Sequence, residues 1–140
     1  MTGFGIPESQ ALAEQGLAPW VMEMGITFDR VDGHVAILRV PDSPRLKRVG
    51  GIVCGQAMMS LADTAMIFAI FGYLGAIRNI TTVSQTTSFL RPAGASADLI
   101  AEARVLKPGR QIVYGEISLH CDNPEKPVAH VITNYMMLPD

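Results

Sequence analysis

The stretch Gly55-Gln56-Ala57-Met58-Met59-Ser60-Leu61-Ala62-Asp63-Thr64-Ala65-Met66-Ile67-Phe68-Ala69-Ile70-Phe71-Gly72-Tyr73-Leu74 decides how the rest of this 140-residue chain must be arranged. Its apolar residues, from Ala57 to Phe71, fall on nearly every side of a single helix. A helix of that kind must be enclosed by other elements. A bilayer is the poorer enclosure. The apolar run Ala57 to Ala76 is broken near its start by Ser60, Asp63 and Thr64, and an unpaired carboxylate is expensive in lipid. Enclosure within protein is expected instead.

Downstream of the helix the pattern predicts four strands, Thr81 to Leu90, Ala97 to Leu106, Gln111 to Cys121 and Pro127 to Leu138. The connections Arg91-Pro92-Ala93-Gly94, Lys107-Pro108-Gly109-Arg110 and Asp122-Asn123-Pro124-Glu125-Lys126 carry turn-forming residues and are too short for parallel crossovers. The four strands are therefore expected to form an antiparallel meander. Upstream, Met22 to Arg30 and His34 to Val40 read as two more strands joined by the hairpin signal Asp32-Gly33. Before them Pro7 to Gln15 reads as a short amphipathic helix, and Trp20 as an apolar anchor; Pro41 to Gly51 reads as an irregular loop. The sum is an α+β fold: one long central helix wrapped by a curved antiparallel sheet of five to six strands, in a single domain over residues 1–140.

Hydrophobic residues make up 49% of the chain and charged ones 17%, a low charge for a small soluble protein. A second copy covering part of the surface accounts for it, so a homodimer or a dimer-of-dimers tetramer is expected. Eleven basic against thirteen acidic residues give a net charge of -2, and Arg45-Leu46-Lys47-Arg48 is the sole basic run, so nucleic acid is not an expected partner. The start of the chain lacks the basic and apolar regions of a secretory leader, and Cys54 and Cys121 suit reduced thiols, which together point to the cytoplasm. Three scattered histidines and no CxxC pair give no metal site.

The chemistry converges on the central helix. Asp63 sits about two turns inside it, where a carboxylate is costly unless paired or used. It is either a working carboxylate or a half-exposed residue that bonds a neighbouring strand or marks a subunit seam. Helical spacing puts Gln56, Ser60 or Met59, Asp63 and Ile67 on one face. Gly55 opens the helix, where free N–H groups and the positive dipole end can polarise a carbonyl oxygen, and the lack of a side chain lets a ligand approach. Eight residues separate Gly55 from Asp63, about 12 Å of helix rise. One small reacting group cannot touch both. If both act on one substrate, they come from different copies of the chain.

Leu61-Ala62-Asp63-Thr64-Ala65 in the helix, Phe89-Leu90-Arg91-Pro92-Ala93 at the end of the next strand, and Gly109-Arg110 in a later turn resemble the hotdog-fold acyl-CoA thioesterases of the phenylacetate-degradation and 4-hydroxybenzoyl-CoA group. The resemblance covers about four-fifths of the chain and implies a hotdog fold, in which the helix is the sausage and the sheet the bun. It implies hydrolysis of a coenzyme A thioester to free acid and coenzyme A, with no cofactor beyond the coenzyme A that enters with the substrate. It assigns Asp63 as general base or nucleophile and Gly55 as the N–H that binds the thioester oxygen. Thr82, or Ser84 if the register slips, becomes the hydroxyl that helps orient water. The family usually carries His-Gly-Gly at the helix start, where this chain has Cys54-Gly55-Gln56. It usually carries an amide residue about six positions earlier, where this chain has Arg48. Gln56 and Arg48 are thus the candidate replacement donors.

Coenzyme A brings a pyrophosphate and a 3'-phosphate, for which Arg91, Arg110 and Lys107 are candidates, although turn cations are often simply solvated. Cys54 at the helix start is either a reactive thiol or a small residue filling the histidine's place. The alternative function is a non-catalytic acyl-CoA-binding or regulatory module on the same fold. A hydratase would require a histidine soon after Asp63, and the next one in sequence is His120. A self-associating structural domain would use Asp63 only as an interface residue.

Overall fold

The computed structural model describes residues 3–94 and 96–140. Two short helices, α1 (Ile6–Gly16) and α2 (Pro19–Met22), precede the hairpin β1 (Thr27–Asp32) and β2 (Val35–Val40). A single 3-10 turn and the small hairpin β3 (Lys47–Arg48) and β4 (Ile52–Val53) lead into α3 (Gly55–Leu74). Then come β5 (Ile80–Phe89), β6 (Leu99–Pro108), β7 (Ile112–His120) and β8 (Ala129–Met137). The bounds of α3 are those read from its composition. The first strand begins five residues later than expected, because Pro19 starts a turn of helix across the segment that also holds Trp20.

Six strands form one antiparallel sheet in the order β1-β2-β6-β7-β8-β5. Its inner face wraps α3, whose Leu61, Ala62, Ala65, Met66, Phe68, Ala69 and Ile70 are wholly buried. Leu38, Ala101, Ala103, Ile117, Leu119 and Val131 close over them from the strands, each alternating with an outward residue. This is the hotdog fold. By length and composition α3 would also pass for a membrane span, with a mean hydropathy of 1.6, but 61% of that window is buried inside the protein. Gly115 of β7 lies directly against the helix: a Cβ there would collide with Met66 Cε and lie 2.8 Å from the Arg104 carbonyl oxygen.

The meander expectation needs a correction. β6, β7 and β8 do follow one another, but β5 pairs with β8 at the far edge of the sheet. Three strand spacings separate β5 from β6, about 14 Å, a span that the chain between Phe89 and Leu99 bridges readily. The sequences explain the order. Leu99–Pro108 supplies a buried inner row fit for a central strand, whereas β5 reads Ile80-Thr81-Thr82-Val83-Ser84-Gln85-Thr86-Thr87-Ser88-Phe89, polar enough to face water.

Candidate functional site

Asp63 is half-buried on the strip of α3 nearest the free edge of the sheet. Two donors from two strands converge on its Oδ1. Thr82 Oγ1 of β5 donates at 2.9 Å, and the Tyr135 hydroxyl of β8 donates to the same oxygen and lies 2.7 Å from the Asp63 backbone carbonyl. Oδ2 accepts nothing from the described residues. Tyr135 is 1% exposed. Burial, and then the adjacent carboxylate charge, push its phenol far above its ordinary value, so it remains a donor at any working pH.

A β-bulge sets up this meeting. Thr82 pairs with Tyr135 and Ser84 with Asn134, leaving Val83 unpaired between them. The extra residue breaks the two-residue alternation, so Thr82 and Gln85 both face α3. Gln85 Nε2 donates to the Met59 carbonyl at 3.1 Å, one turn before Asp63. Ser84 faces the other way, and its Oγ accepts from Asn134 at 3.1 Å. Of the two hydroxyls read as alternatives, Thr82 is therefore the one beside the carboxylate. Tyr135 and Gln85 were missed.

A second feature lies at the start of α3. Ala57 and Met58 turn their N–H groups back to the Cys54 carbonyl, while those of Gly55 and Gln56 find no acceptor among the described residues. Gly55 opens on a cleft of about 420 Å³ lined also by Arg48, Met58, Phe89, Leu90 and Arg91. The Phe89 ring lies where a side chain at position 55 would go, 3.0 Å from its Cβ. Glycine therefore keeps the unpaired amide reachable. Arg91 Nη1 donates to the Pro127 carbonyl at 2.7 Å and Arg48 Nη1 to the Val49 carbonyl at 2.9 Å; neither guanidinium pairs with a carboxylate among the described residues. Asp63 is not part of this cleft.

The remaining candidates lie apart. Cys54 and Gln56 line a separate hollow of about 270 Å³ with Trp20, Met24 and Leu46. Arg110 follows Gly109 at the turn between β6 and β7, whose next residues pair with Met136 and Met137, whereas the Arg91 backbone bonds Val128. Eight residues of β8, about 27 Å, separate those two positions, so Arg91 and Arg110 cannot hold one phosphate within a single chain. His130 pairs with Glu116 at 2.9 Å on the outer face of the sheet, and burial lowers the His120 pKa; neither histidine reaches Asp63 or Gly55. No group of three or more histidine, cysteine or acidic residues able to hold a metal ion occurs among the described residues.

A helix-in-sheet hotdog domain with a carboxylate on the helix and unpaired amides at its start defines the class. Residues 50–128 match the family model of the thioesterase superfamily, and the chain belongs to that family. A protein of Halobacterium salinarum named as a candidate esterase is 33% identical over 130 residues, covering 85% of this chain and 82% of its own length. One of Thermoplasma acidophilum, named likewise, is 31% identical over 87 residues, covering 62% of this chain; the match spans less than two thirds of that relative, 64%. Among solved structures, a candidate thioesterase of a Silicibacter species superposes with a TM-score of 0.85 at 28% identity, covering 99% of this chain and 95% of that one.

Proposed function

We propose that this protein hydrolyses acyl-CoA thioesters at a site shared between two copies of the chain, and that it works in the cytoplasm within the phenylacetate-degradation and 4-hydroxybenzoyl-CoA group of its superfamily. The observation that carries the reading is the separation of two half-sites. The cleft with the free Gly55 amide and two arginines lacks a carboxylate, and the anchored carboxylate lies about 12 Å further along the same helix. Membership of the thioesterase superfamily and the esterase and thioesterase names of its relatives support hydrolysis as the reaction class.

The free edge at β5 supports a second copy as the partner. It offers a ten-residue strand with no neighbour on one side among the described residues, and Val83, Phe89 and Leu90 are each at least half exposed beside it. A long unpaired strand edge flanked by exposed apolar side chains is normally covered. A copy docked there brings its own Asp63 toward the first chain's Gly55, and the partner's equivalent of Arg110 toward a groove that begins at Arg91.

In the reaction the thioester oxygen accepts from the Gly55 N–H, with Gln56 N–H as the adjacent donor. Asp63 of the other copy removes a proton from water as the water oxygen adds to the carbonyl carbon. The tetrahedral adduct carries its negative charge on the oxygen held at the helix start. Its collapse breaks the C–S bond, giving the carboxylic acid and coenzyme A thiolate, which takes up the proton from Asp63. Direct attack by Asp63 would give a mixed anhydride that water then opens, with the same products. No cofactor of the protein's own takes part. Arg91, with Arg48, holds phosphates at the mouth. Arg91→Ala is expected to raise KM for a coenzyme A thioester roughly tenfold while kcat changes little, as steady-state kinetics would show.

The test is thiol release from a panel of aromatic and aliphatic acyl-CoAs. Hydrolysis of at least one class supports the assignment and reveals the acyl preference. A folded protein that releases no thiol across the panel would replace it with an acyl-CoA-binding module.

A further inference from the structure

We propose that Tyr135 and Thr82 form a two-donor clamp that locks the Asp63 carboxylate in one orientation, with Oδ1 held inside the protein and Oδ2 alone presented to solvent and substrate. The clamp is a property of this chain's fold and stands apart from which acyl group is cleaved, although its catalytic consequence rests on the thioesterase reading.

The parts come from three elements. Asp63 is carried by α3, Thr82 by the edge strand β5 and Tyr135 by its neighbour β8. Thr82 and Tyr135 are register partners across the two strands, so they present their hydroxyls side by side to the same oxygen. The bulge at Val83 is what turns Thr82 inward while leaving Gln85 free to tie the preceding helical turn through the Met59 carbonyl. A carboxylate held by one donor can still rotate about its terminal torsion. Two donors on one oxygen, one of them fixed in the core, remove that freedom. Preorganisation of this kind spares the reacting group from reorienting during the chemical step.

The ionised carboxylate is the form of the acid that accepts a proton from water, and both donors point at one of its oxygens. Few other charges bear on it. β5 carries no ionisable side chain, and on β8 the one besides Tyr135 is His130, on the opposite face with Glu116. On α3 the other titratable group is Tyr73, ten residues on and packed edge-to-face against His34. The ionisable residues of β6 and β7, among them Glu102, Arg104, Tyr114 and Glu116, alternate with the buried inner row and so face outward; on β1 and β2, Asp29, Arg30, Asp32 and Arg39 are joined in ion pairs away from the helix. Tyr135 is accordingly a positioning residue, acting through Asp63.

The experiment compares wild type with Tyr135→Phe, and with Thr82→Val and Thr82→Ser, by two readouts. The first is the position and width of the Asp63 13Cγ resonance at one fixed pH, which report the carboxylate's hydrogen bonds and its rotation. The resonance is expected to shift and broaden in Tyr135→Phe and in Thr82→Val, and to stay near wild type in Thr82→Ser, which keeps a hydroxyl. The second is kinetics: kcat is expected to fall roughly 10- to 100-fold in Tyr135→Phe with KM within about threefold, and to stay near wild type in Thr82→Ser. Thr82 is exposed, so its variants keep the test available should the core phenylalanine variant fail to fold. A resonance unchanged from wild type in the folded Tyr135→Phe and Thr82→Val variants would overturn the clamp. A wild type that releases no thiol, with a resonance that still moves in those variants, would keep the clamp and remove the thioesterase assignment.

Discussion

Asp63→Asn is expected to lower the rate of thiol release from a coenzyme A thioester roughly 10²- to 10⁴-fold, with folding retained. Asparagine keeps the shape and still accepts from Thr82 and Tyr135 through its amide oxygen, so the buried phenol stays satisfied. What it loses is the ability to take a proton from water or to attack a carbonyl. In the proposed reaction the arginines and the helix start hold the substrate, so KM should change far less than kcat. Thermal denaturation alongside the kinetics separates loss of chemistry from loss of structure. An Asp63→Asn protein with wild-type turnover would mean that the carboxylate is an interface residue and nothing more.

Gly115→Ala is expected to cost about 1–3 kcal/mol of stability and to lower Tm by roughly 3–10 °C. Glycine at the centre of β7 is unusual for a strand, and its role is the close approach of α3. The added methyl would meet Met66 Cε and Sδ from the helix and the Arg104 backbone carbonyl of the neighbouring strand at 2.8 Å. Methionine can move aside, but the carbonyl belongs to the ladder between β6 and β7 and can yield only if the sheet shifts. Because α3 carries Gly55 and Asp63 together, a helix pushed away from the sheet also loses register with Thr82 and Tyr135. The variant should therefore lose activity at temperatures where it is still folded, which calorimetry and kinetics on one preparation would show.

The helix was legible because its apolar residues cover all sides, and the hairpin was legible from the Asp32-Gly33 signal, although the two turn residues are Gly33 and His34, with Asp32 closing β1 opposite Val35. The position of β5 was not read, since adjacency in sequence suggested adjacency in the sheet. Its run of threonines and serines was the available sign of an edge. The choice between Thr82 and Ser84 depends on the bulge at Val83 of β5, which shows only in the pairing with β8, and in so polar a strand the break in alternation has little apolar patterning to reveal it. Tyr135 was passed over for a related reason. In β8 it shares the inner face with Ala129, Val131 and Thr133, a row that reads as core. A hydroxyl-tipped residue in that row, opposite a helix carrying one carboxylate, was the signal that could have revealed it.

The shared site is tested most directly by a mixed dimer. One copy carries Gly55→Val, which places a side chain against Phe89 and closes the amide; the other carries Asp63→Asn. Purified through two different tags, each mixed dimer contains one site with both native groups and one with neither. Each parent homodimer should be inactive, and the mixed dimer should recover about half of wild-type thiol release per dimer. A mixed dimer as inactive as its parents would place Gly55 and Asp63 in the service of separate sites and contradict catalysis across the interface.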